Sequence, residues 1–168
     1  MTLASIRSFA LGIALAFAAT GALAAGKTLS ISEKVDLTVP AYKVWAMVKD
    51  FDGWQNWHPA IASTDITRGK GNTRRTVRVL NTKDGAKITE ELMSFSNSGM
   101  TFKYRIIDSP LPVEGYVSTL KVSKTKTGST VVWSATFKAK EGSSDEDAKK
   151  TMVGVYRAGL DNLANVVN

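Results

Sequence analysis

"SSDEDAKKTMVGVYRAGLDNLANVVN", residues 143–168, closes the chain. Serines and acidic residues come first, as the N-terminus of a helix favours. Ala148, Met152, Val155, Tyr156, Leu160, Leu163 and Val167 then recur at intervals of three and four. This spacing predicts one long amphipathic helix with a single apolar stripe. Gly154 and Gly159 lie inside it, each costing about 1 kcal/mol against alanine. They fit a close helix–sheet contact or a bend. A helix with one greasy stripe needs a second layer to bury it, so the fold depends on what precedes it.

What precedes it is sheet. Leu29, Ile31, Val35, Leu37 and Val39 alternate in a first strand, with a bulge expected near Glu33-Lys34. Pro40 then opens "PAYKVWAMVKDF", residues 40–51, and proline suits a first helical turn because its missing N–H has no partner there. Val44, Trp45, Val48 and Phe51 keep helical spacing until Asp52-Gly53 ends the helix. "FDGWQNWHPA", residues 51–60, follows as a loop or a single turn; it holds two of the four tryptophans and the single histidine. From residue 61, strand runs and Gly-containing turns alternate roughly every 10–15 residues, an antiparallel meander of about six strands. The predicted class is α+β: a curved antiparallel sheet covered by the terminal helix, with room for a pocket between the layers.

The first 24 residues read differently. Arg7, an apolar run from Phe9 to about Ala19, and the small-residue site Ala22-Leu23-Ala24 form the pattern of a secretory signal peptide. The apolar run is shorter than the ~20 residues a membrane span requires. Residues 25–168 are then one domain, and the expected location is the periplasm, with no transmembrane span after cleavage. The net charge of +7 is spread along the predicted strands rather than gathered with aromatics, which argues against nucleic acid. There is no cysteine, which excludes disulfides and thiolate chemistry. One histidine leaves no zinc cluster. No nucleophile-elbow motif and no glycine-rich phosphate loop occurs. No metal and no cofactor is expected.

Strand alternation selects the inward side chains. Phe102, Tyr104 and Ile106 share a face, as do Tyr116, Ser118, Leu120 and Val122, and Val131, Trp133, Ala135 and Phe137. Ile88, Glu90 and Leu92 go together, and Arg75, Val77 and Val79 oppose Arg74, Thr76 and Arg78. Glu90 and Arg75 are thus the polar residues expected inside, either as a self-neutralising pair or as a pocket floor with the tyrosine hydroxyls. An inward carboxylate is costly unless paired.

"VDLTVPAYKVWAMVKDFDGWQNWHPAI", residues 35–61, resembles the N-terminal signature of the SRPBCC superfamily. "ITEEL", "YRIIDSPLPVEGY", "VVWSATF" and "VYRAGLDNL" resemble later motifs of its polyketide-cyclase-like branch. The resemblance runs from about residue 30 to 165. It implies the helix-grip fold: a seven-stranded antiparallel sheet around a long C-terminal helix, enclosing an apolar cavity. It also places the Trp-His-Pro loop near the cavity mouth, with Trp54 and Trp57 as its seal. Taken with the inward parities, the expected ligand-binding set is Trp54, Trp57, His58, Arg75, Glu90, Tyr104, Tyr116, Trp133 and Tyr156. The leading expectation is a binding or accessory protein for a small apolar molecule, without an established reaction. The leader, the size and the Trp-His-Pro loop also resemble the MxaD group of periplasmic helpers of methanol oxidation, which implies methanol dehydrogenase or its cytochrome as a partner. Two alternatives are a cyclase or dehydratase acting through Glu90 and His58, and a lipid carrier.

Overall fold

The computed structural model describes residues 26–167; the leader expected at 1–24 lies outside them. Seven strands, β1 (Leu29–Leu37), β2 (Ile61–Arg68), β3 (Val77–Thr82), β4 (Lys87–Ser96), β5 (Thr101–Asp108), β6 (Val113–Lys124) and β7 (Ser129–Ala139), form one sheet. Its order is β1-β7-β6-β5-β4-β3-β2, antiparallel at every pairing. Strands 2 to 7 are a plain meander, and β1 returns to the far edge beside β7. A short helix, α1 (Ala41–Val48), and a single 3-10 turn at Trp54–Asn56 join β1 to β2. The long helix α2 (Asp145–Val166) ends the chain.

Local chemistry explains these boundaries. Ser144 caps α2: its Oγ accepts the Asp147 N–H at 3.0 Å, and Asp145, Glu146 and Asp147 place negative charge in the first turn. Ala148, Met152, Tyr156, Leu160 and Leu163 form the buried stripe. They meet the inward residues of the sheet, where the alternation in β5, β6 and β7 falls as the sequence indicates: Phe102, Tyr104, Tyr116, Leu120, Val131, Trp133 and Phe137 are all buried. This is the helix-grip architecture.

Two expectations require correction. β1 carries no bulge; it pairs with β7 in unbroken register from Leu29↔Phe137 to Leu37↔Ser129. Glu33 simply occupies an inward position of the same alternation, where Arg157 of α2 reaches it at 3.5 Å. Arg75 is not an inward residue of β3 either. It lies before the strand at φ 70, exposed, and its N–H bonds the Leu92 carbonyl (2.8 Å) while the Leu92 N–H bonds the Thr76 carbonyl (2.9 Å). Two residues thus face one, as in a bulge, and side-chain alternation does not carry through. Within β3 the inward parity is that of Arg78 and Leu80, and Arg78 stands directly opposite Glu90.

Gly159 supplies the close helix contact. A Cβ there would lie 2.6 Å from His58 Cδ2 and 3.0 Å from Trp133 Cζ3. Gly154, by contrast, faces open space.

Candidate functional site

Between α2 and the concave side of the sheet lies a cavity of about 540 Å³. Leu80, Ile88, Ile106, Met152 and Val155 give it apolar walls. Its rim is the β3–β4 turn (Thr82, Lys83, Asp84, Ala86), the β5–β6 connection (Pro110, Leu111, Pro112) and Thr151 of α2. Its inner surface presents Trp54, His58, Glu90, Tyr104, Tyr116, Trp133 and Tyr156. Seven of the nine expected ligand-binding residues therefore converge on one space. Arg75 lies away from it. Trp57 is buried behind Trp54, with ring centroids 4.9 Å apart, and does not line the cavity. The tryptophans fill the interior rather than sealing the entrance; of their loop, only Pro59 and Ala60 reach toward the rim.

The strongest electrostatic feature is the ion pair beneath this surface. Arg78 is fully buried, and its Nε and Nη2 reach the same oxygen, Glu90 Oε2, at 2.7 and 2.5 Å. Its Nη1 donates to the Phe51 carbonyl at 2.6 Å. The guanidinium lies 4.0 Å from the Phe51 ring centroid and 3.9 Å from that of Trp54. Cation–π contacts of this kind replace part of the lost hydration. Burial pushes the Glu90 carboxyl up, and Arg78 opposes that shift. Among the described residues, Glu90 Oε1 receives no hydrogen bond. The open oxygen belongs to a residue that lines the cavity.

A second network closes the inner end. Ser118 Oγ donates to the Ser134 carbonyl (2.9 Å) and meets Tyr156 Oη at 2.8 Å. Trp133 Nε1 lies 3.0 Å from both Tyr104 Oη and Ser118 Oγ. Tyr116 and Tyr156 bond hydroxyl to hydroxyl. Trp133 stacks on Tyr156 at 3.9 Å between centroids. Burial raises all three phenols above their ordinary range, so they stay neutral and act as hydrogen-bonding groups, not as bases.

His58 is pinned. Its Nε2 lies 3.1 Å from the Val155 carbonyl, which only accepts, so Nε2 carries the proton. Nδ1 accepts the Ala60 N–H at 3.3 Å. Burial pushes its pKa down to about 4, with the Val155 bond opposing and Arg78 assisting. The ring is neutral near pH 7, and both nitrogens are engaged by backbone. That geometry ties the Trp-His-Pro loop to α2 through the space left by Gly159.

Sequence reasoning missed Arg78, because alternating valines marked the opposite parity of β3 as apolar. It also missed the rim. The "SPLP" stretch at 109–112 carries no sequence signal that it borders the cavity.

Comparison with known proteins agrees with this architecture. The family model described as polyketide cyclase / dehydrase and lipid transport matches residues 28–168. The chain is 28% identical over 137 residues to the abscisic acid receptor PYL10 of Arabidopsis thaliana, covering 77% of this chain and 74% of that one. The solved structure of the protein XoxI from Bacillus cereus superposes with a TM-score of 0.73 at 32% identity, covering 83% of this chain and 94% of that one. That of Ara h 8.0201 superposes with a TM-score of 0.70 at 19% identity, covering 84% and 98%, a likeness of fold.

Proposed function

The chain belongs to the polyketide cyclase / dehydrase and lipid transport family of the SRPBCC superfamily, and from that premise we propose that it binds a small apolar molecule bearing one hydroxyl group. The observation that carries this reading is Glu90 Oε1, an acceptor without a partner among the described residues, at the polar end of an otherwise greasy space. A volume of about 540 Å³ falls in the range that holds drug-sized ligands, which favours a compact ring system over a long-chain lipid. PYL10, by its name, receives abscisic acid, which supports a small-molecule reading for this chain too.

Calorimetry with 2-naphthol and naphthalene tests it. The naphthol should bind about tenfold more tightly, the worth of one hydrogen bond to a charged acceptor. Ile106→Trp should abolish both by filling the cavity. Equal affinities, or binding that survives the filled cavity, would defeat the proposal.

The finer reading is an exported, MxaD-like helper of methanol oxidation. The leader-like N-terminus, the size and the Trp-His-Pro loop support it. Purified methanol dehydrogenase and its cytochrome should then bind the mature chain in solution; association with neither removes this reading and leaves the cavity proposal intact. A second reading, a cyclase or dehydratase, draws on the same open Glu90 oxygen as a base. His58 gives it no support, since both its nitrogens are occupied. Full turnover by Glu90→Gln on an identified substrate would end it.

A further inference from the structure

On the opposite side of the sheet, we propose that the hollow beside the β2–β3 loop docks a carboxylate-rich face of a protein partner. The hollow has a volume of about 770 Å³ and is lined by Arg68, Lys70, Arg74, Arg75 and Arg105, with Glu91 as its one acid. Glu91 and Arg105 follow the inward Glu90 and Tyr104, so they point away from the cavity. The two sites can therefore be measured separately.

Glu91 shows what the surface recognises. Its two oxygens are held by Arg68 Nη2 at 2.7 Å and Arg105 Nη2 at 3.1 Å. Planar guanidinium groups match carboxylates in this way. Lys70, Arg74 and Arg75 remain, and none of them has an ion-pair partner among the described residues.

Hydrogen bonds brace the platform. Thr73 Oγ1 donates to the Lys70 carbonyl (2.6 Å), the Lys70 N–H to Thr76 Oγ1 (3.1 Å), and the Phe51 N–H to Asn72 Oδ1 (2.9 Å). Gly69, at φ 82, is so close to Thr76 that a Cβ would fall 2.6 Å from its Oγ1. Arg74 Nε donates to the Met93 carbonyl at 3.2 Å, which fixes that side chain too. Cations held in place lose less entropy on binding. Arg75 stands in the left-handed region at φ 70, where glycine would be relaxed. The left-handed position presents the Arg75 side chain to solvent while its N–H bonds the Leu92 carbonyl.

The occupant is inferred from shape and composition. A hollow admits protruding side chains, whereas a bilayer surface favours apolar residues that insert beside the cations. None lines it. No aromatic ring lines it for stacking bases either.

The test uses fluorescein-labelled octaglutamate and the mature chain, read by anisotropy at about 20 mM salt, where charge interactions are least screened. Arg74→Glu/Arg75→Glu should weaken binding at least about tenfold, while Lys124→Glu/Lys126→Glu, the same charge change on the β6–β7 hairpin, should weaken it no more than about twofold. Arg75→Gly, which keeps the fold, should weaken it measurably and move the amide signals of residues 69–76. The proposal is overturned by absence of binding, by equal losses in the two double variants, by displacement with millimolar inorganic phosphate, or by tighter arginine-dependent binding to phosphatidylglycerol vesicles.

Discussion

Three arginines lie within "TRRTVR", residues 73–78, and two of them meet water while the third meets none. Arg74 and Arg75 stand on the rim of the outer hollow. Arg78, three residues on, is sealed between Phe51, Trp54 and Glu90. The residue type is the same and the energetics are opposite. In water, a guanidinium is tolerated almost anywhere and contributes little to stability. Out of water it is held by an acid, a carbonyl and two ring faces, and removing one support leaves the others uncompensated. Surface arginines are therefore free to serve recognition, whereas the buried one specifies how the sheet floor is built.

The largest effect is expected on the buried side. Arg78→Met leaves Glu90 dry and unpaired and should cost about 3–5 kcal/mol in urea unfolding, while the double variant Arg78→Met/Glu90→Leu should recover most of that loss. A double variant as unstable as the single one would show that the pair is not the unit of stability.

Acid should act next. The unfolded His58 takes a proton near pH 6.5, and the folded one only near pH 4. Below about 6.5 the unfolded chain binds a proton that the native chain does not, so stability falls with acidification and levels off below pH 4. The span is about 3 kcal/mol. Glu90, shifted up, contributes with the opposite sign, its share being lost as pH rises. Comparing the stability slopes of the native chain and His58→Gln between pH 4 and 6.5 isolates the histidine; identical slopes would refute its burial as a neutral ring.

Gly159→Ala forces a methyl group against His58 and Trp133 and should cost about 1–3 kcal/mol, whereas Gly154→Ala, facing open space, should stabilise by up to about 1 kcal/mol. The smallest effect lies on the wet side. Arg75→Gly removes the left-handed strain and should stabilise by about 1 kcal/mol, with a loss of anion binding as its counterpart.

The sequence made the layers legible because periodicity reports burial. The stripe on α2 and the alternation in β5, β6 and β7 each align with a buried face. The same logic failed at β3. Val77 and Val79 suggested the inner side, but the other parity takes it, with Arg78 paired to Glu90 and Leu80 beside it. Glu33 misled in the same way: a charge inside an apolar alternation suggested a bulge, when an ion pair across to α2 was the answer. Much of the cavity's inner surface could be read: Glu90, Tyr104, Tyr116 and Trp133 from strand parity, Tyr156 from the helical stripe, and Trp54 and His58 from the composition of their loop. Its rim could not, because turns carry no parity.

The crowding of Trp54, Trp57 and Trp133, with ring centroids 4.9–5.7 Å apart, has an optical consequence. Two of these indoles border the cavity, and Trp45 sits apart against Phe95 and Phe102. Rings this close couple their transitions, so an arriving guest should perturb near-ultraviolet dichroism and emission while Trp45 serves as a constant reference. The protein carries its own dye for reporting occupancy.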